Sequence, residues 1–257
     1  MFEDFQKRTC LVSGGLGLIG SALSIYLEKL GAKVYVLDKG SRPQLLSPTI
    51  EYIQVDLAKL EELDIILNNL VKEVGFDHLF NCASSKDFAQ SGFYNAFEDY
   101  DFEIWQKILD INTTSTAILC SIIGTGMVKR RFGTIVNFGS IYGSTMASDQ
   151  RIYNSLPENE RFNTPAVYSV SKGGVVALSK HLACLWGKNN VRTNVISPGG
   201  VKNMQHVNFI SAYASRVPMN RMADVHEIVL PAIFLASDSA SYINGHELFV
   251  DGGLNSW

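Results

Sequence analysis

Seven short apolar runs recur along the chain, at Thr9–Ser13, Lys33–Asp38, Ile50–Val55, Asp77–Cys82, Thr134–Phe138, Val191–Ile196 and Glu247–Val250. Most of the stretches between them carry helical patterns. Apolar strands alternating with helices predict an α/β fold, a doubly wound parallel sheet in a single domain with helices on both faces. Helices are expected over residues 18–30, over 101–129 with Asn112 inside, and over 167–187. The last of these combines small residues (Ser169, Ser171, Gly173, Gly174, Ala177) with apolar ones around most of its surface, which predicts burial on several sides.

A chain of 257 residues with 46% hydrophobic content can bury a large core without disulfides or metals. Its net charge of −3 and pI near 6.0, with no block of like charges, exclude an electrostatic platform for nucleic acid or anionic lipid. A small-molecule ligand is the expectation. Cys10, Cys82, Cys120 and Cys184 are scattered among apolar neighbours and are expected reduced and buried. The five histidines fall in no ligand spacing, so no metal site is expected. The first residues lack a signal-type apolar region and no segment approaches a bilayer-spanning apolar run, which makes the cytoplasm the expected location.

In a parallel sheet, ligands bind beyond the carboxyl ends of the strands, so the polar residues there are the candidate site. The first strand runs into Gly14-Gly-Leu-Gly17-Leu-Ile-Gly20, a turn that lets backbone amides approach a pyrophosphate at a helix N-terminus. A glycine-capped turn with no ligand has the same look, but the second strand ends in Asp38, near the spacing of roughly 20 residues at which a carboxylate reaches a ribose. Asp56-Leu57, Asn81-Cys-Ala-Ser84 and Gly139-Ser140-Ile-Tyr-Gly143 follow later strands. In Tyr168-Ser-Val-Ser-Lys172, helical spacing sets an ammonium beside a phenol and so favours the phenolate, which makes Tyr168 a candidate general acid or base. The same spacing at Tyr35 and Lys39 lies in a strand, where the argument fails, so spacing alone proves little.

Taken together, Ser13-Gly-Gly-Leu-Gly-Leu-Ile-Gly20, Asp38, Asp56-Leu57, Asn81-Cys-Ala83, Asn112, Ile135-Val-Asn-Phe-Gly-Ser140, Tyr168-Ser-Val-Ser-Lys172, Asn194-Val-Ile-Ser-Pro-Gly199 and Ile243 to Gly253 resemble the short-chain dehydrogenases and reductases in their single-domain form, over nearly the whole chain. The resemblance implies a Rossmann-type fold and an oxidoreductase moving a hydride between NAD(P) and a carbon bearing a hydroxyl or carbonyl. It implies a catalytic set in which Tyr168 exchanges the proton, Ser140 holds the reacting oxygen, Lys172 lowers the phenol pKa and binds the nicotinamide ribose, and Asn112 holds a water linking Lys172 to solvent. Cofactor contacts are expected from Ser13, Gly14, Gly17, Leu18, Ile19, Asp38, Asp56, Leu57, Asn81, Ala83, Tyr168, Lys172, Pro198, Gly199 and Val201. Asp38 should favour NAD over NADP. A homodimer or homotetramer is expected, formed by the 101–129 and 167–187 helices.

Two departures stand out. Leu18 occupies a position where single-domain members keep glycine, so the Gly14, Gly17, Gly20 spacing resembles the epimerase branch instead. The interval from Ser140 to Tyr168 is longer than usual, which implies an inserted loop at about 144–164. Alternative functions are a sugar-nucleotide epimerase or dehydratase that retains its NAD, for which too little chain follows Gly199, and a non-catalytic dinucleotide sensor. The substrate is expected to be polar and sugar-like, walled by the inserted loop (Asp149, Gln150, Arg151, Tyr153, Asn154, Glu158 to Arg161, Asn163), by residues 84–102 (Lys86, Asp87, Phe88, Gln90, Phe93, Tyr94, Phe97, Tyr100) and by a lid at about 201–221 with Lys202, Asn203, Gln205, His206 and Arg216. The loop also bears a likeness to members from surface-glycan and flagellin-modification pathways.

Overall fold

A computed structural model describes residues 2–85, 92–158 and 163–257. Seven strands, β1 (Thr9–Ser13), β2 (Lys33–Asp38), β3 (Glu51–Gln54), β4 (His78–Asn81), β5 (Gly133–Phe138), β6 (Val191–Pro198) and β7 (Glu247–Val250), form one sheet in the order β3-β2-β1-β4-β5-β6-β7. Every pairing is parallel. The helices are α1 (Leu18–Lys29), α2 (Leu60–Glu73), α3 (Phe102–Leu109), α4 (Ser115–Arg130), α5 (Ala166–Trp186), α6 (Val207–Ala214) and α7 (His226–Ala236). Strand order reverses direction between β1 and β4, which opens a crevice at their carboxyl ends.

Period-two alternation in the strands builds the two layers of core. Along β1, Cys10 and Val12 face the cluster shared with Leu23 and Leu27 of α1 and Ile228, Val229 and Ile233 of α7. Leu11 faces the other way, with Leu63 and Leu67 of α2, Leu119, Ile123 and Met127 of α4 and Leu182 of α5. Cys10 and Cys120 are buried as expected, whereas Cys184 is exposed on α5, because its position falls on the helix face turned away from the sheet.

The long helix expected over residues 101–129 is two helices, α3 and α4, joined by a π turn at Asp110–Thr114. The joined run Phe102–Arg130 is, by length and composition alone, long and apolar enough to cross a membrane, contrary to the sequence expectation. The turn fuses two helices that are individually too short, and the run lies against the domain, with Ile108, Leu119, Cys120, Ile123 and Met127 buried.

Candidate active site

The β1–α1 turn is shaped by its glycines. Gly14 has φ +68°, and a Cβ there would lie 2.6 Å from Ala83 Cα; a Cβ at Gly20 would lie 2.2 Å from Gly14 O. Turn, α1 and the end of β4 therefore meet backbone to backbone. Gly17 caps α1 with no side chain, and a Cβ added to it would meet only Gly14 O, at 3.2 Å. The first turn of α1, at Leu18 and Ile19, thus faces an open cradle that fits a pyrophosphate. Leu18 is partly exposed and shares the cavity wall with Gly14, Gly17, Ile19 and Gly20, so the departure from the single-domain spacing leaves the phosphate side open.

Asp38 lies beside the glycine turn. Its Oδ2 accepts from Leu16 N at 3.0 Å and its Oδ1 from Gly40 N at 3.2 Å, which fixes the carboxylate beside the glycine turn while each oxygen keeps a lone pair for a ligand hydroxyl. Asp56 is half-buried and accepts from Ala58 N at 3.0 Å, and Leu57 is buried behind it. Ser13 and Asn81 are placed differently. Both are buried, and they belong to a polar chain across the sheet: Ser13 Oγ donates to Asn81 Oδ1 (3.4 Å), Asn81 Nδ2 to Asn137 Oδ1 (2.7 Å), and Asn137 Nδ2 to Ser179 Oγ on α5 (2.8 Å). Asn137 is in register with Asn81, and sequence reading gave neither it nor Ser179 a role.

The catalytic candidates come together where β5 ends against α5. Lys172 is buried and its Nζ donates to Phe138 O at 2.8 Å, two residues before Ser140. The following loop lies on the helix: a Cβ at Gly143 would sit 2.5 Å from Ser169 O, and one at Gly173 would sit 2.7 Å from Gly143 O. Only glycines allow this approach, which brings the loop that follows Ser140 against α5 between Ser169 and Gly173. Ser140 is buried and its Oγ accepts from Tyr142 N at 3.1 Å, so its proton is directed elsewhere. Asn112 lies in the π turn, with Oδ1 accepting from Ser85 N (2.7 Å) and Nδ2 donating to Ser171 Oγ (3.0 Å). Ser171 Oγ in turn donates to Tyr168 O at 2.7 Å, which links the end of β4 through α5 to the tyrosine. The bend is therefore tied to both elements that flank the crevice.

One cavity of about 820 Å³ unites Gly14, Gly17, Leu18, Ile19, Ser140, Tyr168, Lys172, Pro198, Gly199 and Val201. Ser13, Asp38, Asp56, Leu57, Asn81, Ala83 and Asn112 are not on its wall. Gly199 is placed by its N–H donating to Val250 O at 3.0 Å, and Gly200 N donates to Tyr213 Oη at 2.6 Å.

Beyond Ser140 and Tyr168 the cavity is walled by Phe93, Tyr94, Tyr142, Ile152, Tyr153, Leu156, Phe209 and Tyr213, with Asn203, Gln205 and His206 near the mouth. The expectation that segment 144–164 walls the cavity holds for Tyr153, whereas Asp149, Gln150, Arg151, Asn154, Glu158 and Asn163 are not on the wall. Gln150 and Thr164 exchange hydrogen bonds at 2.9 and 3.0 Å, Asp149 pairs with Arg151 and Arg216, and Ile152, Tyr153 and Leu156 turn inward. Tyr153 stacks on Phe209 of α6 at 5.7 Å, so segments 144–164 and 201–221 share one apolar cluster with Tyr213, Val217 and Met222. Burial pushes the Tyr142 phenol up to about 12 and raises the Tyr94 and Tyr213 phenols as well. Tyr142 falls in the expected Gly139–Gly143 stretch, whereas Ile152, Leu156, Phe209 and Tyr213 were not singled out from the sequence; the available signal was apolar residues interrupting otherwise polar segments. Lys86, Asp87, Phe88 and Gln90, and Asn159, Glu160 and Arg161, lie outside the described residues.

Comparison with known proteins agrees with this geometry. Residues 17–255 match the family model described as enoyl-(acyl carrier protein) reductase. D-threitol dehydrogenase of Mycolicibacterium smegmatis is 30% identical over 266 residues, covering 97% of this chain and 94% of that protein. A 3-oxoacyl-(acyl-carrier-protein) reductase of Rickettsia typhi is 28% identical over 260 residues, covering 98% of each. The crystal structure of a short chain dehydrogenase from Leptospira borgpetersenii with bound NAD+ superposes with a TM-score of 0.84 at 32% identity, covering 99% of this chain and 96% of that one. These matches run nearly end to end: the chain belongs to the short-chain dehydrogenases/reductases, oxidoreductases that act on CH–OH groups with a nicotinamide dinucleotide.

Proposed function

We propose that this enzyme is an NAD-preferring dehydrogenase of a polyhydroxylated, sugar-like substrate, with Tyr168 as its general acid/base. The observation that carries this reading is the single cavity in which Ser140, Tyr168 and Lys172 share a wall with the glycine turn of α1. A bound dinucleotide supplies the hydride acceptor or donor. Tyr168 Oη takes the proton from the substrate hydroxyl, or returns it, and Ser140 Oγ donates to the same oxygen. Lys172 sets a positive charge beside the phenol and binds the ribose. Asn112 braces the helix turn of Tyr168 through Ser171 and holds the water through which Lys172 reaches solvent.

NAD preference rests on Asp38, whose carboxylate is fixed by Leu16 N and Gly40 N where an adenosine ribose would lie and would repel a 2′-phosphate. The sugar-like substrate rests on flat rings (Phe93, Tyr94, Tyr153, Phe209) set among hydroxyl and amide groups, and on the name of D-threitol dehydrogenase among the relatives. Residues 201–221 serve as the lid. A cytoplasmic setting fits the use of a freely diffusing nicotinamide dinucleotide. Half-exposed Val170 and Leu185 on α5, with Ala177 exposed between them, support a two-fold helix pairing and so a dimer or tetramer, which light scattering measures directly.

The test is a screen of polyols, aldoses and simple secondary alcohols with NAD or NADP, reading nicotinamide absorbance. Reduction of NAD by polyhydroxylated compounds, with NADP used at least tenfold less well, is expected. Equal use of NADP would overturn the role of Asp38, and turnover of apolar alcohols alone would overturn the substrate class.

A further inference from the structure

Charged groups beside the substrate half of the cavity are occupied with one another. Asp149 precedes the short 3-10 helix Gln150–Ser155; its Oδ1 accepts from Arg151 N at 2.9 Å, and its two oxygens take the Arg151 guanidinium at 2.7 to 3.1 Å. The same carboxylate forms an ion pair with Arg216, which follows α6. Arg216 is near enough to Tyr142 for its charge to oppose the rise of that phenol's pKa, and Tyr142 lines the cavity. Among the described residues of the cavity wall, the basic side chains are Lys172, whose Nζ is held at Phe138 O on the cofactor side, and His206, whose Nδ1 accepts from Asn208 N at 3.2 Å. Phenols, amides, hydroxyls and rings make up the substrate half.

We propose that Asp149 determines specificity: by holding Arg216 away from the cavity wall it suits the site to uncharged polyhydroxy substrates and against their carboxylates. This rests on the sugar-like reading of the same site. Among the described residues of the substrate half, a carboxylate that leaves water meets phenols, amides and hydroxyls rather than a guanidinium, and a desolvated anion without a charged partner is costly. Neutral hydroxyls lose nothing comparable, since phenols and amides can replace their water hydrogen bonds. The Arg216 guanidinium could pair with an acid, and Asp149 already uses it. The pairing also crosses from segment 144–164 to the lid, so the insertion contributes to the choice of substrate.

The test measures binding by calorimetry on the protein saturated with NADH, with D-arabinitol and D-arabinonate as a matched neutral and anionic pair. The wild type is expected to bind the pentitol on the order of tenfold more tightly than the aldonate, the size of one lost charge-assisted interaction. Asp149→Asn, which keeps the side-chain shape, should tighten aldonate binding at least fivefold and leave the pentitol within twofold. Arg216→Gln added to Asp149→Asn should remove that gain, whereas Arg216→Gln alone should leave the ratio of the wild type. A merely structural role for Asp149 would weaken both ligands together and would not be reversed at position 216. Tighter binding of the aldonate by the wild type, or an unchanged ratio in Asp149→Asn, overturns the inference alone. Failure of the wild type to bind either ligand overturns the sugar-like reading and the inference with it.

Discussion

Replacing Asn137 by Leu tests how the sheet holds the catalytic helix. Asn137 is fully buried near the carboxyl end of β5; it accepts from Asn81 at 2.7 Å and donates to Ser179 on α5 at 2.8 Å. Leu keeps the same branched four-atom skeleton but has bulkier methyl ends, so the loss at the polar partners is the minimum cost. Two lost hydrogen bonds contribute about 1 kcal/mol each, and the orphaned amide N–H of Asn81 adds ~1 kcal/mol or more, giving roughly 3 kcal/mol in all. For a chain of this size that lowers the melting temperature by about 10 °C. Urea titration should show a lower midpoint with an unchanged slope. The paired variant, Asn81→Leu with Asn137→Leu, should cost less than the sum of the single changes by about 1 kcal/mol or more, because neither change then strands the other's partner. A loss below 1 kcal/mol for Asn137→Leu, or strict additivity of the pair, would refute the network.

Further outcomes follow from other buried groups. Arg192 is buried on β6 and donates to Leu235 O (2.7 Å), Ile243 O (3.1 Å), Ala236 O (3.3 Å) and Ser237 O (2.9 Å), satisfying the carbonyl end of α7; Arg192→Met should cost about 4 kcal/mol in urea unfolding. Burial first, then the charges of Arg8 and Arg192, lower the pKa of His78 from 6.5 to about 3. The unfolded chain therefore binds the extra proton in this window, so the contribution of His78 is complete above pH 6.5 and is lost as pH falls toward 3. At pH 5 the loss is ~2 kcal/mol, and His78→Leu should flatten that part of the stability profile relative to the wild type. Gly14→Ala forces a left-handed residue and a contact of 2.6 Å with Ala83 Cα, so NADH affinity by fluorescence titration should fall at least tenfold.

The sheet was legible because its inner strands, buried on both faces, read as continuous apolar runs, and all seven strands are found within a residue or two of the expected bounds. The glycine turn, Ser140, Tyr168 and Lys172 were legible for a related reason: a short motif fixes its own local geometry. The π turn at Asn112 was not, because it is held by Ser85 and Ser171, which are distant in sequence. Segment 144–164 misled in the opposite way. Asp149, Gln150 and Arg151 look like substrate ligands in a polar loop, yet their partners are Arg216, Thr164 and one another, and beside the expected Tyr153 it is the sparse Ile152 and Leu156 that reach the cavity. Helix α7 hides for yet another reason, since Pro231 lies inside it where sequence rules would end a helix.

Tyr168→Phe puts the central claim to the most direct test, because it removes one oxygen and leaves the ring in place. With any substrate found in the NAD screen, turnover should fall by about three orders of magnitude, the usual worth of a positioned proton donor, while NADH affinity stays within twofold. Lys172→Ala measured alongside should reduce both. A Tyr168→Phe enzyme that keeps more than about a tenth of its turnover would contradict the assignment of the proton to this phenol.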